Sequence, residues 1–315
     1  MDRALSRQIA SSPDAPRGDA APVTRAGSRP AARRWVAEYG LLCLFALVTV
    51  AALVGYSTFR LQPDLLSRMP EAIPVYAAAF TVFARAQIAL AFIALAVFLW
   101  KHASVRWLPA FVALYVISLA SELLGTTVGL PFGPYHYTPA LGTQWFGHVP
   151  MLIPLSWFFM ALPSYALAGN ARDADLTGGE RTLSTIRRIA IASLLLLTWD
   201  LSLDPAMSSA TSYWVWGSTG AYYGMPLLNL FGWYVTGIAL MAALAALRAD
   251  TWLRSVPRGW LIIFYALNLL LPLGMSLATG MWGVGALTFA SLGLCAILVR
   301  WRGRHNRQPA LEIVR

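Results

Sequence analysis

The stretch Thr198–Tyr234, TWDLSLDPAMSSATSYWVWGSTGAYYGMPLLNLFGWY, decides how this chain is read. It begins as the end of an apolar run and then sets two acids, Asp200 and Asp204, four residues apart. At helical pitch that spacing puts both carboxyl groups on one face. A loop rich in Trp, Tyr and Gly and free of Lys and Arg follows, and a second apolar run opens with Asn229 and Trp233. Acids at the edge of a hydrophobic span are costly, so they mark either a site or a polar staple between helices.

Outward from this stretch the same apolar character recurs. Eight runs lie at roughly 37–57, 78–100, 107–130, 149–169, 188–207, 225–247, 259–279 and 281–299. Each is near the ~20 residues that a spanning helix needs. Of the 315 residues 58% are hydrophobic and 12% charged, against about 25% charged in a soluble domain. The predicted fold is all-α, a polytopic membrane helix bundle of about eight transmembrane helices. Residues 1–36, rich in Ala, Ser, Pro, Asp and Arg, read as a disordered basic cytosolic tail. Residues 37–300 form the membrane-embedded catalytic domain, and 301–315 a second basic cytosolic tail. Cys43 and Cys295 both fall inside apolar runs and suggest neither a disulfide framework nor a metal site.

The net charge of +10 raises the question of nucleic acid. The bases, however, lie in short clusters between apolar runs, the pattern of cytoplasmic loops. With both termini placed inside, the tails and even-numbered loops take all of the 24 Lys and Arg residues except Arg60, Arg68 and Arg85. The loops 131–148 and 208–224 contain none. This predicts a multi-pass protein of the cytoplasmic membrane with both ends cytoplasmic and no nucleic-acid partner.

The alternation then fixes the depth of the scattered polar residues. Glu122 lies toward the outer end of the third helix, Asp200 and Asp204 toward the outer end of the fifth, and Arg85, Asn229 and Trp233 near the outer ends of the second and sixth. One site toward the outer leaflet is predicted, with Glu122, Asp200 and Asp204 as catalytic candidates and Arg85 as a structural ion-pair partner of one acid. The aromatic residues of the outer loops serve either as an interfacial belt or as the site's wall. Asp200-Leu-Ser-Leu-Asp204 has a DxxxD spacing that can hold diphosphates through magnesium, but no second acidic motif or basic phosphate clamp accompanies it. No Gly-rich phosphate loop, HExxH or CxxC pattern appears. No cofactor and no metal is expected.

Several blocks carry a resemblance. Glu122-Leu-Leu-Gly-Thr-Thr-Val-Gly-Leu-Pro-Phe-Gly-Pro-Tyr-His-Tyr137, Pro150 with Pro154-Leu-Ser-Trp157, Trp199-Asp-Leu-Ser-Leu-Asp-Pro-Ala-Met207, and Trp214, Trp216, Gly220, Tyr222-Tyr-Gly224, Pro226, Asn229 and Gly232-Trp233 resemble the integral-membrane carotenoid biosynthesis family. That family includes the CruF-type carotenoid 1',2'-hydratases and the bisanhydrobacterioruberin hydratases. The resemblance spans most of 37–300. It implies addition of water to the terminal 1',2' double bond of an acyclic ψ end group, as in γ-carotene or lycopene. It further implies a carotenoid substrate within the bilayer, water as second substrate, and contact with other carotenoid-biosynthesis enzymes.

Such a hydration needs an acid that still carries its proton near neutral pH. Apolar burial and a neighbouring carboxylate both favour that form, and Asp200, Asp204 and Glu122 can supply both. Asp200 or Glu122 is the expected donor, with Asp204 as its partner or as base toward water. Tyr135, Tyr137, Trp199, Trp214, Trp216, Tyr222, Tyr223 and Trp233 offer the substrate-binding wall and ring faces for a cation. His136 or Asn229 would orient water. Two other readings stand beside this one. A carotene cyclase would share the protonation step, and a proton-coupled lipid or small-molecule transporter would use the acids as a relay.

Overall fold

A computed structural model of the chain describes residues 28–305 apart from 171–172 and 174–175, with side chains placed from Glu38 to Arg302. Ten helices are described: α1 (Ser28–Leu61), α2 (Asp64–Arg68), α3 (Ala72–Ala103), α4 (Leu108–Val128), α5 (Ile153–Ala168), α6 (Gly178–Asp204), α7 (Leu227–Ala246), α8 (Asp250–Leu253), α9 (Arg258–Ala278) and α10 (Trp282–His305). Short strands β1 (Tyr135–Tyr137) and β4 (Trp214–Trp216) pair antiparallel, as do β2 (Gln144–Trp145) and β3 (Val149–Pro150). Among the described residues seven helices are long and apolar enough to cross a membrane. This is an all-α, multi-pass membrane protein.

The fourth predicted run is α5, and its 16 residues fall short of a usual span. Its surroundings explain this. Ile153, Pro154 and every residue from Ser156 to Tyr165 are buried. A helix shielded from lipid by its neighbours need not match the thickness of the hydrocarbon. Helices α3, α4, α6, α7 and α9 all pack on it.

Contacts between the helix ends give the alternation directly. At one end Lys101 pairs with Glu38 at 3.4 Å, Ser255 Oγ donates to His102 O at 2.8 Å, and Arg258 Nη1 donates to Gly169 O at 2.8 Å. Arg302 reaches Ala168 O at 2.6 Å and also Asp173 and Ser184. At the other end Tyr56 Oη donates to Ala210 O, Tyr213 Oη to Phe80 O, and Arg85 Nε to Ala140 O. Residues 38 and 302 therefore lie at the same end, with eight antiparallel passes between them. The two long loops without Lys or Arg lie together at the opposite end.

Three sequence expectations change here. The helix predicted from 37 is already formed at Ser28, while the rest of the tail, residues 1–27, lies outside the described residues. Helix α10 continues past 300, and Arg302, assigned above to a tail, is 1% exposed inside the bundle. Arg85 makes no ion pair with a site acid. It is exposed, and its guanidinium donates to Ala140 O at 2.8 Å and Pro139 O at 3.2 Å, holding the loop after β1.

Candidate active site

The site is built where α4, α5, α6 and α7 meet under the β1–β4 ribbon. The register of that ribbon sets Tyr135 against Trp216 and Tyr137 against Trp214. Alternation along a strand sends residues i and i+2 to one face, so four aromatic rings of YHY and WVW point inward. His136 and Val215, paired between them, are exposed. The expectation that His136 touches substrate or orients water is therefore corrected, because the strand turns its imidazole away from the site.

Two glycines allow the ribbon to approach. A Cβ on Gly125 of α4 would lie 2.8 Å from Phe132 and 2.9 Å from Tyr135. A Cβ on Gly232 of α7 would lie 2.6 Å from Phe132 and 2.7 Å from Pro131 O. Both distances are shorter than real carbon contacts, so the aromatic lid seats only over hydrogen at these positions.

Glu122 reaches the site from α4 and is 4% exposed. Its Oε1 accepts from Trp157 Nε1 at 2.8 Å, and its Oε2 accepts from Tyr137 Oη at 2.9 Å and from Tyr135 Oη in a shorter bond. Three donors on two oxygens fill most of the about four acceptor sites of a carboxylate. Burial, then the charge of Glu122, hold the Tyr135 and Tyr137 hydroxyls well above their ordinary value of 10.0. Both phenols thus keep the protons they donate.

Asp200 and Asp204 project from the last turns of α6, 0% and 3% exposed. Asn229 of α7 serves both: its Nδ2 donates to Asp204 Oδ2 in a short bond and lies 3.2 Å from Asp200 Oδ2. The two carboxyl groups also meet each other within hydrogen-bonding reach. Asp200 Oδ1 is buried without any partner. Here acceptors outnumber donors, the opposite of the Glu122 shell. The helix then passes into a π turn over Pro205–Ser209, held by Ser208 Oγ donating to Asp204 O at 2.7 Å, and Trp216 Nε1 donates to Ser208 Oγ at 3.1 Å. A π turn is a frequent local device for aiming functional side chains.

A cavity of about 30 Å³ opens between these groups. Glu122 and Asp204 line it from opposite helices, with Tyr135, Tyr137, Trp157, Trp214, Trp216, Asn229 and Trp233 around them. Asp200 sits behind Asp204 and does not line it. Ring stacking fixes the wall: Trp157 and Trp233 lie 3.9 Å apart at 21°, and Trp199 meets Trp233 edge-on at 5.9 Å. Trp199 faces a second, larger cavity instead, and its Nε1 donates to Asn268 O at 3.1 Å. That carbonyl is free because Pro272, four residues on, has no N–H to offer it. Tyr222 and Tyr223 line neither space. Tyr222 Oη donates to Leu201 O at 2.9 Å beneath the loop, and Tyr223 packs against its ring at 5.2 Å.

The sequence reading quoted Phe132, Ser156 and Trp157 within the family blocks but named none of them as a site residue. Trp157 is the only Trp of the fourth apolar run, which is the signal that was available. Among the described residues no three His, Cys, Asp or Glu side chains gather as a metal site.

The profile of a family described as carotenoid biosynthesis proteins matches residues 78–296. One curated relative, the bisanhydrobacterioruberin hydratase of Haloarcula japonica, is 32% identical over 128 residues, which cover 41% of this chain and 41% of the relative. The matched stretch thus spans less than half the length of that relative. No solved structure matches the chain. With the family profile covering most of α3 through most of α10, and with it every residue of the acid site, the chain belongs to the carotenoid biosynthesis protein family of multi-pass membrane proteins.

Proposed function

We propose that the protein is a carotenoid hydratase that adds water across the terminal 1',2' double bond of an acyclic ψ end group. The observation that carries this reading is the cavity of about 30 Å³ held between Glu122 and Asp204. A water needs only about 10–15 Å³ of such space together with two to four polar partners, and this cavity offers two carboxyl groups and Asn229. It also adjoins an apolar space large enough for part of a hydrocarbon chain. A cyclase would need the same acid but a dry pocket, so the room for water beside the acids favours hydration.

The hydrogen bonds suggest the roles. Asp204 faces the cavity and shares a proton with Asp200 behind it, which makes Asp204 the donor. Its proton goes to C2' of the alkene, the π electrons form the new C–H bond, and a tertiary cation is left at C1'. Glu122, whose three donors favour its charged form, acts as the carboxylate that stabilises that cation, helped by the faces of Trp214, Trp216 and Trp233. Water attacks C1', and its surplus proton returns to the Asp200–Asp204 pair. The net change is addition of one water, and no electrons are exchanged. This assignment moves the donor from Asp200 or Glu122, expected from sequence, to Asp204. The lack of Lys and Arg in both loops around the site supports a position toward the outer leaflet of the inner membrane.

The test is to express the chain in a host that accumulates lycopene or γ-carotene and to analyse the pigments by chromatography and mass. A product heavier by one water supports hydration. An isomer of unchanged mass with shortened conjugation would replace this reading by cyclisation, and unchanged pigment from both hosts would remove both.

A further inference from the structure

We propose that the cavity of about 370 Å³ between α1 and α3 is the berth of the substrate's hydrocarbon chain, entered sideways from the bilayer and continuous with the acid pocket. This rests on the reading above for the identity of the reacting end, but not for the existence of the berth.

Four observations carry it. The first is the lining. Small residues, Ala51, Ala52 and Gly55 on α1 and Ala79 and Ala84 on α3, keep the two helices from filling the gap, while Phe159, Leu203 and Met275 close the back. Among the described residues no charged one lines it. The second is the state of its polar residues. Gln87 donates to Thr49, Tyr56 to Ala210 O, Tyr213 to Phe80 O and Asn268 to Phe264 O. Each of these four side chains is hydrogen-bonded within the protein. The third is the mouth. Val75 and Phe83 line the cavity and are 69% and 36% exposed on the outer flank of the bundle, where lipid would lie. The fourth is continuity. Ile153, Ser156, Leu203 and Trp214 line both this cavity and the acid pocket.

The volume sets the class of ligand. Small-molecule pockets span roughly 300–1,000 Å³, and 370 Å³ lies near the lower end. A long acyclic polyene would place one end segment here and leave the remainder in the bilayer. An end-in berth of this kind accepts long chains that differ only at their far end, and so makes the protein selective for the end group near the acids.

The test fills the berth. A Cβ on Gly55 meets nothing within 4 Å, so Gly55→Leu places bulk in the gap without moving backbone; Ala79→Phe does the same from α3. Val54→Leu, on a residue that is 59% exposed and outside the lining, is the control. The full chain in lipid nanodiscs, carrying Asp204→Asn to stop turnover, is titrated with lycopene, and quenching of tryptophan fluorescence reports binding through Trp199 and Trp214. Filling either side is expected to weaken binding by about tenfold or more, with the control unchanged. In the active protein the same variants should lose turnover of lycopene, with that of Val54→Leu unchanged. Unchanged lycopene binding in both filled variants would overturn the berth, as would displacement of lycopene by saturated phospholipid chains at equal concentration. If binding follows the filled positions while no alkene is hydrated by the unsubstituted chain, the berth stands and the hydratase reading fails.

Discussion

Helix α5 joins two polar regions that handle burial in opposite ways. At its C-terminal end the carbonyls of Tyr165, Leu167, Ala168 and Gly169 are met by Arg188, Arg258 and Arg302. Arg188 also stacks over the Tyr165 ring at 3.7 Å. The last carbonyls of a helix have no partner of their own and carry its negative pole, so cations suit them. At its N-terminal end the same helix presents Trp157 and Ser156 to a pocket of carboxyl groups. Donors aimed at fixed backbone carbonyls make a joint. Carboxyl oxygens in excess of donors, beside a space that can hold water, suit the proton transfer proposed above.

Paired substitutions test that contrast, and the largest effect belongs to the acid end. Asp204→Asn should lower hydration by about 10²–10⁴-fold, the usual loss for a removed proton donor, while the protein still unfolds at nearly the same temperature. Arg302→Leu should do the reverse. It leaves Asp173 without its buried guanidinium and should cost roughly 3–5 kcal/mol of stability, read as a fall in detergent-solubilised yield and midpoint, with normal turnover per folded molecule. If Arg302→Leu instead abolished turnover in well-folded protein, the division between joint and site would be wrong.

A smaller effect is expected from Tyr137→Phe, which removes one of three donors to Glu122. A hydrogen bond to a charged group contributes about 1.5–3 kcal/mol, so turnover should fall by roughly ten- to a hundredfold with little change in lycopene binding. The phenols also predict a pH effect. The Tyr135 and Tyr137 hydroxyls are raised in the folded state by burial and by Glu122. Their contribution to stability is therefore complete below the ordinary value of 10.0 and is lost as pH rises above it. Ultraviolet difference spectra should show the buried loop tyrosines, Tyr135 and Tyr137 among them, still protonated after the exposed ones have ionised. His136→Ala should be the mildest change, within about twofold of the unsubstituted activity, because its ring lies outside the ribbon.

How much of this was legible in the sequence depends on what each residue's position rests on. Spans of apolar residues declare themselves, since water and hydrocarbon sort residues by local composition alone. The common depth of Glu122, Asp200, Asp204 and Asn229 followed from counting passes. Trp157, quoted in a family block, was not assigned to the site because a Trp in an apolar run looks the same whether it is core or ligand to a carboxylate. Arg85 and Arg302 were misplaced because an arginine's partner is set by long-range packing. His136 was avoidable: the alternation of Tyr-His-Tyr already puts it opposite its neighbours once a strand is assumed.

By itself the sequence determined an all-α membrane bundle, its alternation, and the membership of the acid cluster, because hydropathy and helical pitch act over a few turns of chain. Only the tertiary structure decided which acid faces the pocket, which is enclosed by donors, and where a hydrocarbon chain has room. Those properties depend on side chains from α4, α5, α6 and α7 and from two strands nearly eighty residues apart meeting within a few ångströms, and no local pattern encodes such distances.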